Sequence, residues 1–566
     1  MTQSDEAISD PNARRIEARY DKRGDPSWTS RMSAPDATFG LCLMVPDRII
    51  PVIFVPGVMG SNLIEKGAKP DKAVKWRMDS AASAIEWASP TRGAKFRKEF
   101  LRPEVMGVDR GGAVPSDMMI PAEELTRRGW GEIGALSYQE PLRWLETALN
   151  DFDNPAAGER VGLISRELQA LVGEAKLTID EVGLSYRYRF PVWACGYNWL
   201  ASNADSALRL AARIDEIRKR YTTEKKKCDK VIIVTHSMGG LVARHCSEVL
   251  GKRDAIFGIV HGVMPAIGAA AVYRRFKAGT EDATQWWNVA GAIGSAVLGN
   301  DAAEMTAVLS SAPGPMQLLP TPEYGNGWLK IKDGSQEYSF PKNGDPYGEI
   351  YAVRGKWWSM SEDHLINPLN DEKDPKKRQK QVDLDWTAFE NLVDKQVATF
   401  HQSIAGKYHS NTYAFFGSHA DFKAYGTVTW RGSRDLAAST VFKDRKVDVL
   451  DATPLSAEEL AALKAKSPEI ETRRHVKAVY SDAGWMPHTE RTFVIGEPDE
   501  AGDGTVPHRS GIAPKAIAKE LLQVKVGHEP AYQISKGSDN LRACRFTVRS
   551  IVKIAQAVQQ TSLRYE

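Results

Sequence analysis

The stretch Val231–Leu250, VIIVTHSMGGLVARHCSEVL, joins an apolar β-branched run to an amphipathic helical pattern with Ser237 at the turn. It reads as a nucleophile elbow, in which a strained strand-to-helix turn lifts a serine hydroxyl clear of its neighbours and small residues two positions away let backbones approach. Gly239 fits that requirement and Gly240 adds further slack, whereas Thr235 stands where glycine is usual. Lys230 to Thr235 is rich in valine and isoleucine, as a strand buried on both faces of a parallel sheet should be. Beyond the turn, Leu241, Val242, His245 and Val249 recur at helical spacing.

Around the elbow the pattern alternates. A strand is expected over Arg48–Val55 (RIIPVIFV), and another within Arg187–Trp199, ending in an aromatic turn. An amphipathic crossover helix is expected over Ala204–Tyr221, with Leu208, Leu210, Ala211, Ile214 and Ile217 on its apolar face. The elbow strand and helix follow, and then a strand at Ala255–Val260. Such a βαβα series argues for a mostly parallel sheet covered by helices on both faces.

At 566 residues the chain is long for one sheet, so large insertions are expected. Residues 1–47 read as a polar N-terminal extension and 48–263 as the first part of the core, with an insertion at about 65–143 that shows no clear sheet pattern. From 264 to 411 the periodicity blurs over a length no connecting loop reaches, and this reads as a cap subdomain. Within it the charge run at Asp371–Lys380 is expected as a solvated linker, and Val289–Gly299 as a lid helix. Residues 412–566 complete the core, starting at a strand over Thr412–Gly417 and carrying a second insertion at about 420–491.

Composition narrows the class. A net charge of +3 is too mild to argue for nucleic acid. Five scattered cysteines, Cys42, Cys195, Cys228, Cys246 and Cys544, lack metal-ligand spacing and read as reduced packing residues. No metal or cofactor is implied. The polar N-terminus has no secretory leader, and Phe257–Tyr273 and Val289–Gly299 are too short to span a membrane, so synthesis in the cytoplasm is expected.

A serine needs an imidazole to take its proton and a carboxylate to orient that imidazole. In hydrolases with a strand-to-helix elbow these follow in the order Ser, Asp, His. Asp503 lies between two glycines in a loop after the expected strand Thr492–Pro498, and His528 follows a helix-like Pro514–Val524 and a short strand. Asp499 and Glu500 are alternative acids. His508 is too close along the chain to Asp503 to be oriented by it and also reach Ser237. The oxyanion of an acyl-transfer intermediate needs two backbone N–H groups. Met238, at the start of the elbow helix, is one expected donor, and the Pro56–Gly60 loop supplies the other, with Val58 the first choice and Met59 the second.

VPGVMGSNL, YNW, THSMGG, APGPMQLLP, GDGTV and GHEPAY occur in this order, from Val55 to Tyr532. Together they resemble the lecithin-cholesterol acyltransferase branch of the α/β-hydrolases and its relatives resembling the glycosylphosphatidylinositol-inositol deacylases. The resemblance implies an α/β-hydrolase sheet with large cap insertions and acyl-ester chemistry on lipids, of lipase or phospholipase type. It carries Ser237, Asp503 and His528 over as triad and the PGVMG loop as oxyanion loop. Secreted members have a leader and disulfides, and this sequence shows the sign of neither. In that respect it is similar to bacterial lipase effectors, which are toxins delivered by type VI secretion. That likeness implies export to the periplasm of a target cell, a secretion-system component and an immunity protein as partners, and a membrane lipid or lipid-like ester as substrate. An esterase of small soluble esters and a silent hydrolase-fold binding protein are the competing readings. Trp286, Trp287, Trp357 and Trp358 in the cap are candidates for lipid contact, with burial in the cap core as the alternative.

Overall fold

The computed structural model describes the chain except residues 1–12, 17, 23, 30–38, 43–45, 70, 88, 153–154, 280–298, 300, 335, 433–448, 455–472, 480–487 and 566. Six strands form the central sheet: β1 (Val52–Val55), β2 (Val192–Ala194), β3 (Val231–His236), β4 (Ile256–Gly262), β5 (Thr412–Gly417) and β6 (Glu520–Val524). They lie in the order β2-β1-β3-β4-β5-β6, and every pairing is parallel. The chain steps from β1 outward to β2 and then crosses back to β3 on the other side of β1. The order therefore reverses between β1 and β3, and in open α/β sheets the crevice at the carboxyl ends beside such a reversal is where ligands bind.

The residues of β1 and β3 explain why this pair is central. Ile53, Val55, Val231 and Ile233 face one core, while Val52, Phe54, Ile232 and Val234 face the other. All eight are at most 1% exposed, so the alternation that marks a half-buried strand is absent from the sequence although it governs the packing. Each such side chain contributes about 1.5–3 kcal/mol on leaving water. The expected Arg48–Val55 strand divides at Pro51, since Arg48–Ile49 pairs instead with Lys227–Cys228.

Four helices frame the sheet, α1 (Ala135–Leu149), α2 (Asn203–Thr223), α3 (Gly239–Glu248) and α5 (Ser538–Ala555), and a further helix, α4 (Pro375–Leu392), lies in the insertion between β4 and β5. The crossover helix α2 begins where Ser202 accepts from the Ala204 N–H. It buries Leu210, Ala211, Ile214 and Ile217, but Leu208, expected on the same face, is exposed. α2 packs beside α3, while α5 packs beneath the sheet together with α1.

The insertions hold more sheet than the sequence pattern shows. In the first, Leu63–Glu65 pairs with Lys75–Trp76 and with Met106–Val108, strands too short to display a period. Residues between β4 and β5 and those between β5 and β6 share one six-stranded sheet, in which Leu329–Asp333 runs parallel to Val428–Gly432. The strand expected at Thr492–Pro498 is His488–Ile495 and belongs to this second sheet, where it pairs with Val428–Gly432. The segment expected as helix-like over Pro514–Val524 is a short 3-10 turn, Ala513–Ala516, followed by β6. The charge run at Asp371–Lys380 is no linker: Asp374 accepts from the Lys376 and Lys377 N–H groups, Pro375 opens α4, and the lysines lie on its exposed first turns. The two motifs YNW and APGPMQLLP meet, because a Cβ on Gly314 would lie 2.3 Å from the Trp199 carbonyl oxygen. The expected lid helix at Val289–Gly299 falls outside the described residues apart from its last residue, as do Trp286 and Trp287.

Trp357 and Trp358 are buried rather than offered to lipid. Trp357 stacks on Phe493 at 4.4 Å and donates to the Val449 carbonyl at 2.8 Å; Trp358 stacks on Phe340 at 4.4 Å and donates to the Leu450 carbonyl at 3.1 Å. Trp357→Ala should therefore lower stability by about 3–5 kcal/mol through the cavity it leaves, read as a fall in the urea midpoint. A variant of unchanged stability that binds lipid vesicles less well would restore the lipid-contact role.

Candidate active site

Ser237 occupies the left-handed region at φ 51°, which is costly for any residue with a side chain and marks a position held by its surroundings. The turn is tight because α3 starts against the neighbouring strand. A Cβ on Gly239 would lie 2.5 Å from the Val55 carbonyl oxygen and 2.6 Å from that of Pro56, so no larger residue fits. Thr235 is accommodated in place of the usual glycine by a partner: its Oγ1 lies 3.0 Å from Nδ1 of the buried His261. The Ser237 N–H donates to the Gly262 carbonyl at 2.9 Å, which ties the elbow to the end of β4.

The structure brings Ser237, His528 and Asp503 together. His528 Nε2 lies 2.8 Å from Ser237 Oγ, and His528 Nδ1 lies 2.8 Å from Asp503 Oδ2. Because the carboxylate can only accept, Nδ1 carries the proton and Nε2 is free to accept from the serine hydroxyl. The other oxygen, Asp503 Oδ1, accepts from the Thr505 and Val506 N–H groups at 3.0 and 2.7 Å, so the carboxylate cannot swing away. The His528 N–H donates to the Asp503 carbonyl at 2.8 Å, which joins the two loops by their main chains as well. Ser237 and Asp503 are each only 3% exposed, so the charges they handle lie largely out of water.

Asp503 arrives by a route the sequence does not announce. It follows a short strand, Glu500–Gly502, that pairs with His419–Ala424, directly after β5. Gly417, the last residue of β5, backs onto it: a Cβ there would lie 2.5 Å from Asp503 Cβ. The carboxylate thus stands at the carboxyl end of β5 although the chain leaves the sheet for the second one in between. The alternative acids have other partners. Asp499 accepts from the Gly426 and Thr427 N–H groups, and Glu500 pairs with Arg509. His508 is bonded to Ser418 at 2.9 Å, and His245 stacks on Phe400.

The Pro56–Gly60 loop lies against the elbow, since a Cβ on Gly57 would meet His236 Nδ1 at 2.9 Å and Ser237 Cβ at 3.1 Å. Most of its main-chain polar groups are engaged. The Pro56 carbonyl accepts from Tyr197 Oη at 2.8 Å, that of Met59 from Trp76 Nε1 at 3.1 Å, and that of Gly60 from the Gly134 N–H at 2.9 Å. The Gly57 N–H donates to Tyr138 Oη at 3.1 Å and the Gly60 N–H to the Gly57 carbonyl at 3.1 Å. Among the described residues the N–H groups of Val58, Met59 and Met238 have no protein acceptor. Met59 adopts φ 63°, a second left-handed residue beside Ser237.

A model of the PGAP1-like alpha/beta domain matches residues 204–271, which run from α2 through the elbow to the segment after β4. A chain in the crystal structure of the Tle4–Tli4 complex superposes with a TM-score of 0.67 and 26% identity, over 90% of this chain and 98% of that one. No curated protein matches the chain in sequence. The chain has the α/β-hydrolase fold. The fold agrees with the resemblance carried by the motifs, and the family model and the solved neighbour together support ester hydrolysis as the chemistry. Among the described residues no helix is long and apolar enough to cross a membrane, and no cluster of His, Cys, Asp or Glu side chains is arranged to hold a metal ion.

Among the buried imidazoles, those of His236, His261 and His401 are fully enclosed by protein. Burial pushes His236 and His261 down to about 3 and His401 to about 4, well below the ordinary value near 6.5. They stay neutral in the fold while the unfolded chain binds protons below about pH 6.5. Their contribution to stability is complete above that pH and is lost progressively as pH falls toward 3–4. His401 holds Tyr347 Oη at Nδ1 and the Gln317 carbonyl at Nε2. The urea midpoint should drop between pH 6.5 and 5, and His401→Gln should remove part of that slope; an unchanged slope would show that His401 titrates normally.

Proposed function

We propose that the protein is a serine carboxylic-ester hydrolase acting on lipids, of lipase or phospholipase A type, with Ser237 as nucleophile, His528 as general base and Asp503 as its orienting carboxylate. The observation that carries this reading is the continuous hydrogen-bonded chain from Ser237 Oγ through His528 to Asp503, placed where the strand order reverses. As Oγ attacks the ester carbonyl, its proton passes to His528 Nε2, and the imidazolium is stabilised by Asp503. The oxyanion is received by the N–H groups of Met238 and Val58, with Met59 the alternative to Val58. Collapse expels the alcohol, which takes the proton from Nε2 and leaves an acyl-enzyme on Ser237. Water then repeats the sequence and releases the fatty acid, restoring the serine.

In this reading residues 264–411 form the cap over the acyl group, while 48–263 and 412–566 make up the catalytic core with the insertions at about 65–143 and 420–491. Tle4 is solved in complex with Tli4, which supports a corresponding protein partner here. We read that partner as an immunity protein, and the chain as an antibacterial effector exported by type VI secretion to the periplasm of a target cell.

Lipid product analysis by mass spectrometry tests the reading. Wild-type protein should release fatty acid from phospholipid vesicles and react with a fluorophosphonate probe, and Ser237→Ala should lose activity by about four orders of magnitude or more with no labelling. Equal products from both proteins would overturn the assignment of Ser237. Hydrolysis of short-chain nitrophenyl esters with no rise in rate at a lipid interface would replace the lipase with an esterase of small esters.

A further inference from the structure

His236, immediately before the elbow serine, is buried, and both its ring nitrogens are engaged. Nε2 lies 2.9 Å from the main-chain carbonyl oxygen of His528, and Nδ1 lies 3.0 Å from Tyr138 Oη, which in turn is 3.1 Å from the Gly57 nitrogen. The direction of every bond in this chain is fixed. A carbonyl only accepts, so His236 Nε2 carries the proton; burial keeps the imidazole neutral, so Nδ1 is bare and accepts from the Tyr138 hydroxyl. That hydroxyl keeps its proton, because burial raises the phenol far above neutral pH. Its oxygen then accepts the one donor left, the Gly57 N–H.

The chain spans the site. At one end it holds Gly57, the residue before the unpaired Val58 and Met59 amides, and at the other the main chain of His528, with Ser237 between them. The helix that supplies Tyr138 is anchored to both sides: Gly134, just before α1, donates to the Gly60 carbonyl, and Ser137 donates to Glu529 Oε1 at 2.6 Å, the residue after His528. A Cβ on Gly60 would lie 2.7 Å from the Tyr138 ring, so the helix and the loop are in close contact. The insertion before β2 thereby reaches the site through Ser137 and Tyr138.

We infer that Tyr138 and His236 are positioning residues, which set the separation between the oxyanion amides and the His528 imidazole through the chain Gly57 N–H, Tyr138 O–H, His236 Nε2–H and His528 C=O. This rests on the ester-hydrolase reading above. A group that acts only on the fold would change the fraction of folded enzyme; a positioning group changes the turnover of each folded site. Tyr138→Phe keeps the ring and removes the hydroxyl, leaving the Gly57 N–H and His236 Nδ1 without partners. Relative to wild type, and normalised to serines titrated by fluorophosphonate, kcat should fall about 10- to 100-fold with KM within about twofold. Affinity for a boronic acid that mimics the tetrahedral intermediate should fall by the same factor.

His236→Gln retains a donor and an acceptor and should keep more activity per titrated site than His236→Leu. Unchanged kcat per titrated serine in Tyr138→Phe, or equal loss in the two His236 variants, would overturn the inference. Should Tyr138→Phe not fold, the His236 pair still decides, together with 15N-histidine spectra of wild-type protein in which the resonance absent from His236→Gln is the neutral Nε2–H tautomer. An Nδ1–H tautomer or an imidazolium at pH 7 would refute the chain. A wild-type protein that neither labels nor hydrolyses esters fails the functional reading itself, whereas loss confined to the variants speaks only to positioning.

Discussion

The arrangement depends on one steric constraint, the approach of the first turn of α3 to the end of β1. Gly239 sits so close to the Val55 and Pro56 carbonyl oxygens that the chain must turn within a single residue, and Ser237 takes the left-handed conformation to allow it. That turn raises the hydroxyl above the sheet and leaves the Met238 N–H at the positive end of a helix. It also brings the Pro56–Gly60 loop against the elbow. The reversal of strand order between β1 and β3 supplies the crevice, and the elbow supplies the group that occupies it.

Around this point the molecule ties loops together by main-chain groups as much as by side chains. The His528 main chain is held from one side by Asp503 and from the other by His236. The Pro56–Gly60 loop is held by Tyr197, Trp76 and Tyr138, which come from three different parts of the chain. The proposed acyl transfer needs its donors fixed before the charge develops. Here the fixing is done by aromatic side chains whose polar ends reach carbonyls and amides in a buried setting. The same burial that makes these bonds rigid suppresses protonation of His236, so the network keeps one pattern over the neutral range.

Legibility followed the range of the interaction. The helix at Asn203–Thr223, the strand at Thr412–Gly417 and the elbow were readable because their signals repeat within a few residues. Ser237, Asp503 and His528 could be singled out by chain order, and the structure joins them in one hydrogen-bonded chain, with His528 between Ser237 and Asp503. The three short strands between Leu63 and Val108 were not readable, since two or three residues carry no period. The second sheet was hidden for another reason: Leu329–Asp333 and Val428–Gly432 pair across almost a hundred residues, and neither segment alone tells of the other. Leu208 shows the limit of a helical pattern, which locates a face without fixing its edge.

By itself the sequence determined the class of sheet, the identity of the turning serine and the order of the groups that answer it, because β-branched runs, glycines at close approaches and helical spacing act through neighbouring residues. Only the tertiary structure decided that Asp503 reaches the end of β5 from a strand paired outside the main sheet, that Trp357 and Trp358 fill a core, and that Tyr138 and His236 join both sides of the site. Those outcomes turn on contacts between segments distant in the chain. Their geometry is set by how whole layers pack, and no local pattern of residues encodes it.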